Sequence, residues 1–155
     1  MNFGDIAALQ DMENFPGATN GNVAGPGKIG EIQETRIGSV SAVALTSGAA
    51  ANVASVSLTA GDWDVTGMVT LKYTSATQSA DGQAGLSGTS ASLPGDSLRG
   101  YDNTRQTTTT SNASIALPPY NFPSSGSQTV YLAAQASFSA GTCAAFGRIT
   151  ARRVR

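Results

Sequence analysis

Residues 62–73 read DWDVTGMVTLKY. Trp63, Val65, Val69, Leu71 and Tyr73 fall on odd positions with Gly67 among them, while Asp62, Asp64, Thr66, Thr70 and Lys72 fall on even ones. Successive side chains of a strand point to opposite faces, so a period of two predicts a strand with one buried and one wet face. Working outward, SAVALTSG (41–48) offers Val43 and Leu45, and NVASVSLTAG (52–61) offers Val56 and Leu58 before a turn at Ala60-Gly61. Downstream, QAGLSGTSASL (83–93) and NASIALPPYNF (112–122) read as weaker strands. TVYLAAQASFS (129–139) places Val130, Leu132, Ala134, Ala136 and Phe138 on one face. After the turn AGT, CAAFGRITARRVR (143–155) turns Cys143, Ala145, Ile149 and Ala151 inward.

Seven or eight short strands at roughly ten-residue spacing, divided by Gly, Ser and Pro turns, predict an all-β fold. The expected architecture is an antiparallel jelly roll or β-sandwich of about eight strands over residues 32–155. Its inward residues are small, with many Ala and Gly and few Leu. Such a core is thin, and association with further copies is expected to stabilise it.

Residues 1–31 read differently. Phe3, Ile6, Leu9 and Met12 recur every third position, which predicts a short amphipathic helix with Asp5 near its start. Alone in water that helix is too short to be stable, so it needs a partner surface. PGATNGNVAGPGKIG (16–30) then reads as a linker or extended arm. The opening residues lack the basic and apolar regions of a signal peptide, so no secretion route is expected. No stretch reaches the ~18 apolar residues that a membrane span needs.

Composition narrows the function. The 155 residues carry a net charge of −1 and only 12% charged side chains, about half the usual share. There is no histidine, which removes the commonest general base and the commonest zinc ligand together. The single cysteine, Cys143, lies in an alternating apolar run and reads as a small core residue. Asp62 and Asp64 flank Trp63 on one strand face, where paired carboxylates could hold calcium or serve a glycosidase. Without a D-x-D-x-D-G loop they read as two solvated carboxylates. No triad, P-loop or dinucleotide fingerprint is present, so no catalysis, cofactor or metal is expected.

The one basic cluster is Arg148, Arg152, Arg153 and Arg155. Arg148 and Arg152 share the face opposite Ile149, whereas Arg153 and Arg155 are expected to break the alternation in a fraying end. Nucleic-acid binding wants more basic residues and more aromatic stacking partners than this face supplies, Phe146 being its one aromatic. Phe146, Arg148 and Arg152 are therefore expected in contacts between subunits, together with Tyr120 and Phe122 of the proline-punctuated LPPYNFPSS (117–125). RGYDNTRQTTTTSN (99–112) reads as a long polar loop, more readily an exposed tip that binds nothing than a surface for a receptor or a host surface glycan.

LTAGDWDVTGMVTL (58–71), SIALPPYNF (114–122) and SQTVYLAAQASFSAGTCAAFGRITARRVR (127–155) together resemble the jelly-roll domain of tailed-bacteriophage virion surface proteins. Capsid decoration proteins, head fibres and some tail-fibre tips belong to that group, and the resemblance covers roughly residues 53–155. It implies a homotrimer on the outer surface of a virion, with an N-terminal arm attaching each subunit to the major capsid protein. Phe3, Ile6, Leu9 and Met12 would then be the capsid anchor. The alternative is a receptor- or glycan-binding module of a tail fibre or spike. That role usually follows a long repetitive shaft, which these residues do not contain, so the capsid surface is the expected place.

Overall fold

The computed structural model describes residues 23–104 and 109–155, so the expected anchor residues Phe3, Ile6, Leu9 and Met12 lie outside the described residues. Among the described residues the chain is all-β, with eight strands and two 3-10 turns. The strands are β1 (Ile32–Ile37), β2 (Val43–Leu45), β3 (Ala51–Leu58), β4 (Gly61–Ser87), β5 (Arg99–Asp102), β6 (Thr109–Ser124), β7 (Gln128–Ser139) and β8 (Thr142–Arg153). Every ladder is antiparallel. The expected fold class holds: an antiparallel sandwich of the jelly-roll type, nearly closed into a barrel.

The strands are not all short, however. β4 runs for 27 residues and belongs to both layers. From Gly61 to Thr74 it lies between β6 and β8, with β1 and β2 beyond β8. From Thr77 to Ser87 it pairs with β7 and β5, with β3 beyond β7. The bend falls where the apolar alternation fails, in TSATQSADGQ. Ser75 takes a φ of 50° there, and the ladder to β6 slips between Tyr73 and Ala76. A slipped register is how a sheet turns a corner.

The hairpin between β7 and β8 sits on that corner. Its two turn residues, Ala140 and Gly141, have φ of 54° and 64°, the positive values that tight hairpin turns require. A Cβ on Gly141 would stand 2.4 Å from the carbonyl oxygens of both Thr74 and Ser75, so only glycine fits. β7 and β8 leave this turn into different layers, Ser139 opposite Thr77 and Thr142 opposite Thr74.

The residues of 62–73 predicted to face inward do so. Trp63, Val65, Val69, Leu71 and Tyr73 are fully buried. Ile115 and Leu117 from β6, Cys143, Ala145 and Ile149 from β8, and Val130, Leu132 and Ala134 from β7 complete the core. The layers touch at Gly67, where a Cβ would come within 2.8 Å of the Leu132 side chain. Cys143 is a core residue as read, and burial pushes its thiol up to about 12.

The two outer faces differ. The 88–95 segment folds over the layer of β3, β7 and β5. Asn52 donates to Ser90 Oγ and accepts from the Ala91 N–H, both at 2.7 Å, and Ala133 of β7 is fully buried away from the main core. Among the described residues nothing covers the outer face of the other layer, and Met68, Lys72, Arg148 and Arg152 are exposed along it.

Trp63 is fully buried and donates its indole N–H to the Thr59 carbonyl at 3.0 Å. Trp63→Ala is expected to cost about 3–5 kcal/mol, read by chemical denaturation. Among the described residues the buried Tyr73 hydroxyl has no hydrogen-bond partner, and burial pushes its pKa upward. Tyr73→Phe is therefore expected to leave stability unchanged or raise it by about 1 kcal/mol in the same measurement, since it removes an unmet hydroxyl and little packing.

Candidate interaction surface

The alternation of β8 does not stop at Ala151. Arg153 keeps the inward phase and is 5% exposed, which corrects the expectation of a fraying end. Its guanidinium lies 4.4 Å from the centre of the Trp63 ring, and its Nε is 3.1 Å from Glu31 Oε2. The two Nη atoms donate to the Ala60 carbonyl and to Thr59 Oγ1. Glu31, 4% exposed, also accepts from the Gly27 N–H at 2.7 Å and from Gln33 Nε2 at 2.9 Å. Backbone bonds between Gly30 and Arg153, and between Arg153 and Glu31, both 2.9 Å, complete the clasp. Burial alone would raise the Glu31 carboxyl. The hydrogen bonds from Gln33, Gly27 and Arg153 outweigh it and hold the group below its ordinary value.

Arg155 is tied down as well. Its exposed side chain pairs with the Asp62 carboxylate, and its carbonyl accepts from the Asp62 N–H at 3.0 Å. Asp62 is thus an ion-pair partner and not the solvated carboxylate expected. Asp64 is exposed and accepts from Asn121 Nδ2 at 3.2 Å.

Phe146, Arg148 and Arg152 share the uncovered face, as their spacing predicted. The ladders set Arg36, Arg148, Met68 and Ala116 in one row across β1, β8, β4 and β6, and Ile32, Arg152, Asp64 and Asn121 in another. Arg36 pairs with Glu34, which also accepts from Thr150 Oγ1 at 2.9 Å. Hydrogen bonds from Arg36 and Thr150 hold the Glu34 carboxyl below its ordinary value. The β1–β8 side of the face is therefore basic, and most of the remaining side chains are short.

Tyr120 and Phe122 lie at the other edge, on β6. Tyr120 is 41% exposed. Phe122 is a correction: it sits opposite Trp63 in the chain's own core, 8% exposed, with the Tyr120 ring edge-on to it at 4.9 Å. The bulge between Val65 and Gly67 shifts the phase of β6 around Pro118 and Pro119, so that Tyr120 and Phe122, opposite Val65 and Trp63, share the inward phase, Phe122 covered and Tyr120 at the rim. Beside Tyr120 an apolar recess of about 50 Å³ opens, floored by Leu86 and Leu117 and rimmed by Leu98, Pro118 and Pro119. Sequence reading missed this recess because its walls come from three distant segments.

The 99–112 stretch is shorter as a loop than read. Arg99–Asp102 forms β5, and β6 begins at Thr109. Residues 105–108 of it lie outside the described residues. Among the described residues no three His, Cys, Asp or Glu side chains gather as a metal site would require.

No family model and no curated protein matches the chain. Its shape is similar to chains in solved structures of infectious bursal disease virus. For the Gx strain the identity is 12% and the TM-score 0.47; for the Gt strain they are 13% and 0.45, and for the VP2 subviral particle 14% and 0.42. Each likeness covers 90% of this chain and 36% of the other, so the chain spans about a third of the length of those it matches.

The clasp has a pH signature. A carboxyl whose folded pKa lies below its unfolded one adds stability above the unfolded value and loses it as pH falls through the folded one. Glu31 should therefore contribute fully at neutral pH and progressively less below about pH 4.5. Glu31→Ala is expected to cost about 3–5 kcal/mol at pH 7, because it strands a buried guanidinium. It should also flatten the acid limb of a stability–pH profile measured by denaturant titration.

Proposed function

We propose that this chain is a structural virion protein, a decoration or head-fibre protein on the outer surface of a bacteriophage capsid. It acts as a homotrimer and is held to the major capsid protein by its N-terminal arm. The observation that carries this reading is the clasp. Glu31 is buried against Arg153, whose guanidinium lies over Trp63, so the chain before it leaves the sandwich from a fixed point. A tether that transmits force between two bodies needs such a rigid root, and the apolar series Phe3, Ile6, Leu9 and Met12 lies upstream of it. An apolar series on a tether suits docking elsewhere.

The uncovered face supports the same reading. Phe146, Arg148 and Arg152 stand on the basic side of this sheet surface, and Tyr120 is exposed on the strand at its far edge. A buried functional cleft is not needed for this role. Attachment and association through broad surfaces are.

The test is a truncation placed before the clasp. Removing residues 1–22 is expected to leave the sandwich folded, with its melting temperature and oligomeric state unchanged. It should abolish co-sedimentation with particles stripped of this protein. If the truncated form co-sediments as well as the full chain, the arm is not the anchor, and a receptor-binding module of a tail fibre becomes the better reading.

A further inference from the structure

Val40 is 98% exposed, the most exposed of the large apolar side chains among the described residues. It stands at the centre of the 3-10 turn Ser39–Ser41 between β1 and β2. Turn tips favour Gly, Asn, Asp and Ser, and the flanking residues are Gly38, Ser39 and Ser41. A valine there does nothing for this chain's own fold. Single exposed apolar residues are common and mean little by themselves. This one has a counterpart.

The counterpart is the recess beside Tyr120. At about 50 Å³ it is far too small for a sugar or a nucleotide, whose sites occupy hundreds of Å³, but it suits one small branched aliphatic side chain. Its floor residues, Leu86 and Leu117, are 5% and 7% exposed, while Leu98 and Tyr120 on the rim are each 41% exposed. An apolar knob and an apolar hole thus occur on one molecule.

Their placement decides what they can do. In the layer that holds the Val40 turn and the β6 wall of the recess, β1 and β2 form one edge and β6 the other, with β8 and β4 between. The Val40 turn joins β1 and β2 at the height of Phe146, which pairs with Thr70 of β4. The recess opens where Leu117 pairs with Gly67. Knob and hole are therefore on opposite edges and only three β4 residues apart in height. A knob that cannot meet its own hole must meet a neighbour's, which is a head-to-tail contact. The small rise between the two suits closure into a ring, which needs in addition a rotation between copies that divides a full turn.

Charge does not oppose the contact. Arg36, one residue before the end of the strand that leads to Val40, is paired with Glu34, and Arg148 lies beside it in the same row. Next to the recess, Asp96 at the start of the turn that carries Leu98 is paired with Arg99 at 2.8 Å. Seating the knob therefore brings the Arg148 edge of one copy to an ion-paired rim on the next, with no like charges opposed.

We propose that copies of this chain join head to tail, the Val40 turn of one copy seated in the Leu98–Tyr120 recess of the next. The inference rests on the reading of the chain as a closed homo-oligomer and names the contact that closes it.

The test uses the full chain in two experiments. In the first, cysteines replace Val40 and Leu98 singly and together, and the proteins are oxidised; Cys143 is buried and stays silent. The double variant is expected to give covalent oligomers that stop at the ring size. Each single variant should give no cross-link, because knob does not face knob. In the second, Val40→Asp, which cannot disturb a core it does not touch, is expected to weaken self-association at least about thirtyfold by analytical ultracentrifugation, the scale that marks an interface anchor. A single variant that cross-links to itself would show a two-fold contact and overturn the proposal. So would a stable wild-type oligomer unaffected by Val40→Asp, and in that case the oligomeric reading would survive. A wild type that stays monomeric at tens of micromolar would overturn both.

Discussion

The architecture depends on one strand serving two sheets. β4 is the central pairing partner of both layers, with β6 and β8 along its first half and β7 and β5 along its second. A strand can do this only if it bends without losing its hydrogen bonds to water. The bend at Ser75 is held from outside by the Ala140-Gly141 turn, whose glycine lies against the Thr74 and Ser75 carbonyls with no room for a Cβ. The layers then diverge from a common corner, and the gap between them stays narrow near it. This geometry explains the abundance of alanine at inward positions of β7 and β8. A wider residue would have to push apart two sheets that share a backbone.

The second constraint is the buried pair of Glu31 and Arg153. Taking two charges out of water costs several kcal/mol per ion, and their attraction recovers that only with further hydrogen bonds. Here nearly every polar atom is served: Glu31 by Gly27 and Gln33, Arg153 by Ala60 and Thr59, with the Trp63 ring beneath the guanidinium. An apolar pair of similar shape would hold the sandwich as well. What the ion pair adds is register. It fixes one residue of the incoming segment against one residue of β8, and so sets where residues before Glu31 leave the fold.

The unequal outer faces fit a protein that works by contact. One face is partly covered by the 88–95 segment, held through Asn52 and Pro94. The other carries rows of short or positively charged side chains and stays open. On the proposed reading, the open face and its two edges are where neighbouring subunits and the particle meet. The sparse charge of the chain belongs with this, since broad association is easier between surfaces with few ions to desolvate.

Local alternation was enough to read much of this from residues alone. It marked the inner and outer faces of 62–73, of β7 and of β8, and with them the core role of Cys143 and the shared face of Phe146, Arg148 and Arg152. A strand's period of two is a property of the backbone and needs no partner to be visible. Other features have no local signature. That 62–73 continues without a break to Ser87 depends on a corner held by a turn more than fifty residues away. That Tyr120 and Phe122 share the inward phase depends on a bulge against β4, and Arg153 is buried only because Glu31 and Trp63, from two other segments, converge on it. The recess beside Tyr120 exists only where β4, the turn before β5 and β6 meet. The sequence by itself determined which side of each strand is apolar; only the tertiary structure decided which strands share a layer, which charges are buried and which apolar residues are left for a partner, because those depend on contacts between residues far apart in the chain.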